Sequence, residues 1–413
     1  MFKNRTLYWI AVDIANQAGH DKMTFEDRVQ FVESNIQLLK NFYLKVSDGL
    51  ASGVALDELA TNDGFQKMDS PFALKNAIVA LFDYVTKGYA SHMVYLDASN
   101  QALQLYAVLT ADKETGKTCN LANGDTIADA YQLLANAMNK ILGSSLTRSN
   151  CKKALMTTMY GKQDGSEEII NNLYPNDANF SEEHCLKTHG FTVEQLSSAF
   201  SVAIRDIAPK AMRAMDALTS LGELAQPTYR WTMEDGFNVK YDVKVKNKVQ
   251  VYQNFKYSEM KLEKDIINAE NTFNKTTQIK LERGEDISAR KFNPMLINSM
   301  PPFELEYSTE TYGANASSRG MSPNIIHSID GYVAREMIRR MNGKFITTIH
   351  DAFACHPKDC DMMIQNYKNI LCELLTDTML SDLASQSAGT GVRIVKTNDL
   401  TCEDIQTSRY LLS

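Results

Sequence analysis

Two aspartates sit where short apolar segments end. Asp97 follows Met93-Val94-Tyr95-Leu96 and precedes a helical stretch, with Ser99 available as a cap. Asp351 occupies the turn between Ile346-Thr347-Thr348-Ile349-His350 and Ala352-Phe353-Ala354-Cys355. Taken singly, each reads as a helix cap or turn residue. Taken together, they fit phosphoryl transfer assisted by two metal ions roughly 3.5–4 Å apart, one activating the attacking hydroxyl and the other neutralising the leaving group. Such a site needs carboxylates from separate strands of one sheet. Magnesium suits it, because it takes few carboxylates and completes its shell with phosphate oxygens and water. Asp97, Asp351 and the carbonyl of Ala98 would suffice as protein ligands to two Mg²⁺ ions.

Between the aspartates lies a basic stripe. Arg148, Lys152, Met156 and Tyr160 recur at i+4 spacing, which keeps them on neighbouring surface of a helix. A solvated basic face is the plainer reading of the Lys152-Lys153 pair. Tyr160-Gly161 with Met156 and Met159 adds a flat apolar surface for a base beside cations for a triphosphate.

The elements that must position these residues are mostly helical. Residues 24–45 read as one amphipathic helix capped at Thr24. Asp69-Ser70-Pro71-Phe72 opens another that runs to about Val85, with Ser70 or Asp69 as cap and Pro71 near the first helical position. Met93–Leu96 is a short buried strand. Helices dominate from Ser99 to about Tyr160 and from Thr192 to about Ala225. Alternation across 238–255 predicts a β-hairpin turning at Lys246-Asn247-Lys248, and 256–320 reads as a long excursion or mobile loop. A helix from Asn324 to Met341 leads into the strand, tight turn and strand around Asp351. The fold class is α+β, helix-rich, with a small antiparallel sheet.

Composition is that of an ordinary globular chain: 413 residues, 44% apolar and 23% charged. That length exceeds one compact core. No run of eighteen apolar residues marks a membrane span, and the first residues do not read as a secretory signal. The seven cysteines include no CxxC pair, and His184-Cys185 with His189 does not complete a zinc site, so reduced thiols are expected. The net charge of −7 runs against a partner rich in phosphate, although a basic cleft can sit in an acidic protein.

Asp97-Ala98-Ser99, the Arg148/Lys152/Tyr160-Gly161 helix and His350-Asp351-Ala352-Phe353 resemble motifs A, B and C of the polymerases related to DNA polymerase I. Finer features resemble the single-subunit, T-seven-type RNA polymerases of bacteriophages and mitochondria. Ser322-Pro323-Asn324-Ile325-Ile326-His327-Ser328-Ile329-Asp330-Gly331 is similar to that family's Pro-Asn-x-x-His-Ser-x-Asp-Gly segment. Trp231-Thr232-Met233-Glu234-Asp235-Gly236-Phe237 is similar to its Trp-Thr-Pro-Asp-Gly-Phe strand and turn, with one residue inserted. Ala18-Gly19-His20-Asp21-Lys22, Asp69-Ser70-Pro71-Phe72 and Asp129-Ala130-Tyr131 also match family segments in order.

The resemblance implies a DNA-directed RNA polymerase with these roles: Asp97 and Asp351 as metal ligands; Lys22, Arg148 and Lys152 on the nucleotide phosphates, Lys152 also donating a proton to departing pyrophosphate; Tyr160 and Met156 at the nucleotide, Tyr160 helping to select ribose. His327 would contact the end of the product duplex, and Tyr131 and Gly161 would lie near the nucleic acid. His350 is structural or electrostatic. DNA polymerases of the superfamily carry a glutamate where Ala102 stands and read His-Asp-Glu in the third motif, so both positions favour ribonucleotides. Ala352 replaces the usual serine of the RNA enzymes.

The resemblance further implies a right-hand palm and fingers: palm over 1–119 and 321–413, fingers over 120–320. Relatives place an N-terminal domain, a thumb and an Arg-Gly-Arg segment ahead of the point where these motifs start. The expectation is therefore a heterodimer, in which a second polymerase subunit supplies those parts, as in the split phage RNA polymerases of the N-four type. DNA template, RNA product and ribonucleoside triphosphates complete the partners, in the cytoplasm of a bacterial host and away from membranes. Two competing readings are a DNA polymerase of the same superfamily and an inactive, nucleic-acid-binding scaffold.

Overall fold

Asn4 starts the first helix, α1 (Arg5–Gln17), because its side-chain oxygen accepts from the Thr6 and Leu7 amides at 2.9 and 3.3 Å. A computed structural model describes the chain over residues 1–162, 164–175, 181–224, 228–243, 245–251, 268, 270–275, 277, 278, 280, 303–309 and 314–413. It contains two compact units, Met1–Asp242 with Ser317–Ser413 and Val243–Ala316. Most of the expected excursion at 256–320 lies outside the described residues.

The stretch 24–45 forms two helices, α2 (Phe25–Ser34) and α3 (Ile36–Ser47), rather than one. Thr24 caps α2 as expected, accepting from the Asp27 amide. The break falls at Asn35, whose side-chain amide donates back to the Phe31 carbonyl at 2.9 Å. A short amide side chain competes for backbone groups in this way, which periodicity does not register. Next come α4 (Ser52–Ala60) and α5 (Pro71–Lys87). Pro71 takes the first helical position, where its missing N–H costs nothing, but the N-cap Ser70 makes no side-chain capping bond. Ile10 and Ile14 of α1, Val32 of α2, Leu39 of α3, Leu56 of α4 and Ile78 of α5 share one buried apolar cluster.

Strand β1 (Val94–Asp97) buries Val94 and Leu96 and leaves Asp97 at its open end. Asn100, in the left-handed region at φ 68°, then turns the chain into α6 (Gln101–Thr110), and its side chain caps the Leu103 amide at 3.2 Å. All ten residues of α6 are buried. The short α7 (Lys113–Thr118) leads to α8 (Ala130–Leu142), capped by Asp129, and α9 (Arg148–Met159), capped by Thr147. α9 packs against α8 and α10 (Ser166–Leu173). Then follow α11 (Glu182–His189), α12 (Val193–Ile207) and α13 (Pro209–Gly222).

The hairpin expected at Lys246-Asn247-Lys248 is not formed. β3 (Asn238–Asp242) pairs back onto β2 (Thr228–Thr232), and β4 (Val245–Val251), which contains those three residues, pairs antiparallel with β5 (Phe303–Thr309). The turn residue is Gly236 at φ 81°, ten positions earlier. Alternation marks strands but not partners, so two strands from different ladders read as one hairpin.

Helix α14 (Ala314–Arg340) starts ten residues before the expected Asn324 and carries Pro323 in its interior. A proline removes one helical hydrogen bond; the Asn324 side chain donates to the Gly320 carbonyl at 2.7 Å, supplying a donor in that turn. The chain then makes β6 (Ile346–Ile349) and β7 (Ala352–Cys355) around His350-Asp351. It ends with α15 (Cys360–Thr376), α16 (Met379–Ala388) and α17 (Cys402–Thr407). β7 lies between β1 and β6 in an antiparallel sheet, with α15 packed on β7 and α6. The architecture is helix-rich with small antiparallel sheets.

Gly19 has φ 92°, and a Cβ there would meet the Lys67 carbonyl oxygen at 2.5 Å. Gly19→Ala is therefore expected to cost about 2–3 kcal/mol, read as a lowered midpoint in denaturant unfolding; an unchanged midpoint would contradict this backbone approach.

Candidate active site

Register brings the two aspartates together. Asp97 is paired with Ala352 across β1 and β7, and the Ala98 amide donates to the Asp351 carbonyl at 3.2 Å. Asp351 hangs from the turn between β6 and β7, where His350 takes φ 54°. On the other side of β1, the Ser413 amide donates to the Asp97 carbonyl at 2.9 Å and the Ser99 amide to the Leu411 carbonyl at 3.0 Å. Asp97 is thus held from both flanks. The Ala98 carbonyl accepts from the Asn100 amide at 2.8 Å, which leaves it a second lone pair.

Among the described residues neither carboxylate has an ion pair or a hydrogen bond to another side chain, and the Asp351 carboxylate is bonded only by its own backbone amide. Removal of water raises the Asp97 pKa above its ordinary value, and the nearby Asp351 charge raises it further; Lys22 and Lys152 pull it down. Burial also raises Asp351, with Asp330 adding to the effect and His350 opposing it. Two carboxylates that repel each other with no side-chain partner among the described residues suit a divalent cation. The described residues contain no cluster of three or more His, Cys, Asp or Glu suited to a metal. The donor set is therefore sparse, as magnesium sites are when phosphate and water complete the shell.

The stripe on α9 faces outward. Lys152 and Met156 are exposed and Arg148 and Tyr160 partly so, while Cys151, Ala154, Leu155 and Met159 are buried behind them. Among the described residues Lys152 has no ion pair, whereas Lys153 is held by Glu168 at 2.6 Å. Arg148 pairs with Asp129 and lies over the Tyr131 ring, 5.1 Å from its centroid. Burial, partly offset by the Arg148 charge, pushes the Tyr131 hydroxyl up to about 12. Tyr160, at the end of α9, stacks on His327 of α14 with centroids 4.5 Å apart and planes 5° from parallel. Burial raises the Tyr160 pKa, with Asp330 and Asp351 adding to it, and lowers that of His327. Gly161 follows at φ 95°. Ala102 is 2% exposed in the first turn of α6.

A family model described as DNA-dependent RNA polymerase matches residues 2–407, nearly the whole chain. The chain belongs to the DNA-dependent RNA polymerase family. Its similarity to the DNA-directed RNA polymerase of Enterobacteria phage K11 is 21% identity over 92% of this chain and 43% of that protein. T7 RNA polymerase of Escherichia phage T7 is 21% identical over 90% of this chain and 44% of its own length. The mitochondrial DNA-directed RNA polymerase of Schizosaccharomyces pombe is 29% identical over 38% of this chain and 14% of that protein. The chain spans less than half the length of these curated relatives. No helix among the described residues is long and apolar enough to cross a membrane.

Neither Asp330 nor Arg28, which bonds the carbonyls on either side of Lys22, has an expected role from the sequence. Asp330 lies three positions after His327 on α14, a spacing that puts both on one helix face and could have placed it. Its charge reaches both Asp351 and Tyr160. Arg28, discussed below, gave no signal, because a lone arginine in an amphipathic helix reads as surface.

The raised folded-state pKa values carry a sign. Each aspartate is easier to ionise in the unfolded chain, so it weakens the fold above the ordinary aspartate range and has no such effect once protonated in both states. Asp351→Asn is expected to raise the unfolding temperature at neutral pH in metal-free buffer. That gain should vanish by about pH 3. Thermal scans across pH test this, and a variant less stable than wild type at pH 7 would sink it.

Proposed function

We propose that this chain carries the ribonucleotidyl-transfer site of a DNA-directed RNA polymerase, with the β1–β7–β6 sheet and its helices as palm (1–119 and 321–413) and 120–320 as fingers. The observation that carries the proposal is that Asp97, paired with Ala352, and Asp351, whose carbonyl accepts from the Ala98 amide, meet at one end of the β1–β7 ladder, with the charges of Lys22 and Lys152 close enough to act on Asp97. Asp97, Asp351 and the Ala98 carbonyl would hold two Mg²⁺ ions. When bound, magnesium supplies polarisation of the phosphoryl oxygens and stabilisation of the charge on attacking and leaving groups.

The protein's own groups have separate tasks. Lys22 and Lys152 neutralise triphosphate charge, and Lys152, which holds no ion pair among the described residues, gives a proton to the leaving pyrophosphate. Arg148 reaches phosphate by exchanging its Asp129 partner for a phosphate oxygen. Tyr160 and Met156 form the surface under the incoming base, and Tyr160 helps choose ribose. Tyr131 and Gly161 lie beside the template, and His327 at the end of the product duplex. Ala102 puts no carboxylate against a ribose 2′-hydroxyl. A second polymerase polypeptide as partner belongs to the same proposal. The similarity to phage polymerases supports a bacterial cytoplasm as the place of action.

Primer extension on an RNA–DNA hybrid with Mg²⁺ tests the proposal, with and without a co-purifying polypeptide. Ribonucleotide incorporation should fall on the order of a thousandfold in Asp97→Asn and in Asp351→Asn. Preference for deoxyribonucleotides would replace the reading by DNA synthesis, and inactivity under every pairing would replace it by a scaffold role.

A further inference from the structure

Arg28 is a cation in the wrong place for a surface helix. It sits in the first turn of α2, is 0% exposed, and has no carboxylate ion pair among the described residues. Burying a charge away from water is costly unless its donors are well satisfied. Arg28 achieves this with a fork of three bonds: Nε to the Met23 carbonyl at 3.0 Å, Nη2 to the Asp21 carbonyl at 2.6 Å and Nη1 to Asn16 Oδ1 at 2.8 Å. Its guanidinium carbon lies 5.0 Å from the centroid of the buried Phe25 ring.

The two carbonyls are those immediately before and after Lys22. Lys22 is exposed, rests on Asp21 at 2.6 Å, and acts electrostatically on Asp97. Gly19 and His20 fix the start of the same loop: the Gly19 Cα packs on Lys67, and the His20 Nε2 lies 2.7 Å from the Gly64 carbonyl oxygen. Arg28 fixes its end. Lysine cannot reproduce a planar fork that spans two carbonyls.

We infer that Arg28 is a positioning residue for the nucleotide site: it clamps the backbone on both sides of Lys22 and so aims that ammonium at the triphosphate of an incoming nucleotide beside Asp97. This rests on the polymerase reading given above. The ligand class is the polyphosphate of a nucleoside triphosphate, and the contribution is to binding rather than to the chemical step.

The test uses the full chain, with its co-purifying polypeptide where extension requires it, in the forms Arg28→Met, Arg28→Lys, Lys22→Ala and Arg28→Met/Lys22→Ala. In single-nucleotide extension, Arg28→Met should raise KM for the ribonucleotide about tenfold with kcat changed less than about twofold. Arg28→Lys, which keeps the charge, should fall between. Added to Lys22→Ala, Arg28→Met should raise KM less than about twofold further, since both act through one contact. A merely structural role would instead add its full effect in both backgrounds, and that result overturns the inference.

A second readout needs no activity. Trypsin cleavage after Lys22, followed by mass spectrometry, should accelerate about tenfold in Arg28→Met and measurably in Arg28→Lys; an unchanged rate in a folded Arg28→Lys overturns the clamp. Absence of ribonucleotide incorporation by the wild type would sink the polymerase reading, while proteolysis would still decide whether Arg28 holds the loop.

Discussion

The hydrogen bond from the Ala98 amide to the Asp351 carbonyl sets the geometry on which the rest depends. It joins β1 to the turn of β6 and β7 and brings two carboxylates together, where burial raises the pKa of both and the Asp351 charge raises that of Asp97 further. Left alone, such an arrangement is unfavourable, and the fold tolerates it because both strands are held elsewhere. Leu96, Phe353, Ala354 and Cys355 are fully buried, with α1 packed on β1 and α15 on β7. The residues 411–413 pair with the free edge of β1. Apolar burial thus stabilises a polar arrangement that would not form by itself.

Cations are distributed to match. The chain is acidic overall at −7, yet two lysines from segments far apart in sequence, Lys22 and Lys152, converge electrostatically on Asp97. Lys22 itself rests on Asp21, and many other bases described hold internal pairs, such as Lys153 with Glu168 and Arg340 with Glu373. Net charge therefore says little about this site, because local placement decides which charges remain free for a ligand.

Much of this was legible in the residues. Apolar runs ending at Asp97 and Asp351 marked strands, and i+4 spacing on α9 correctly set Arg148, Lys152 and Met156 on one open face. Thr24 and Pro71 marked helix starts. What failed had a common cause: information outside the local window. Asn35 breaks a periodic helix through a side-chain bond to Phe31. Lys246-Asn247-Lys248 looks like a turn only if its neighbours pair with each other, and they pair with strands elsewhere. Pro323 reads as a boundary, yet it lies within α14. Arg28 is invisible because its burial is a property of the loop before it.

The stack of Tyr160 on His327 joins positions on either side of residues 161–326. Further along the same helix, Trp231 donates to Ser328 at 3.1 Å and Asp235 pairs with Arg335. Flexible loops within such a stretch carry a closure entropy that varies only with the logarithm of their length; doubling one costs about 0.6 kcal/mol. Insertions and deletions within such a stretch can thus accumulate while the ends stay in register. The stack of Tyr160 on His327 is thereby insulated from the length of the flexible loops that lie between them.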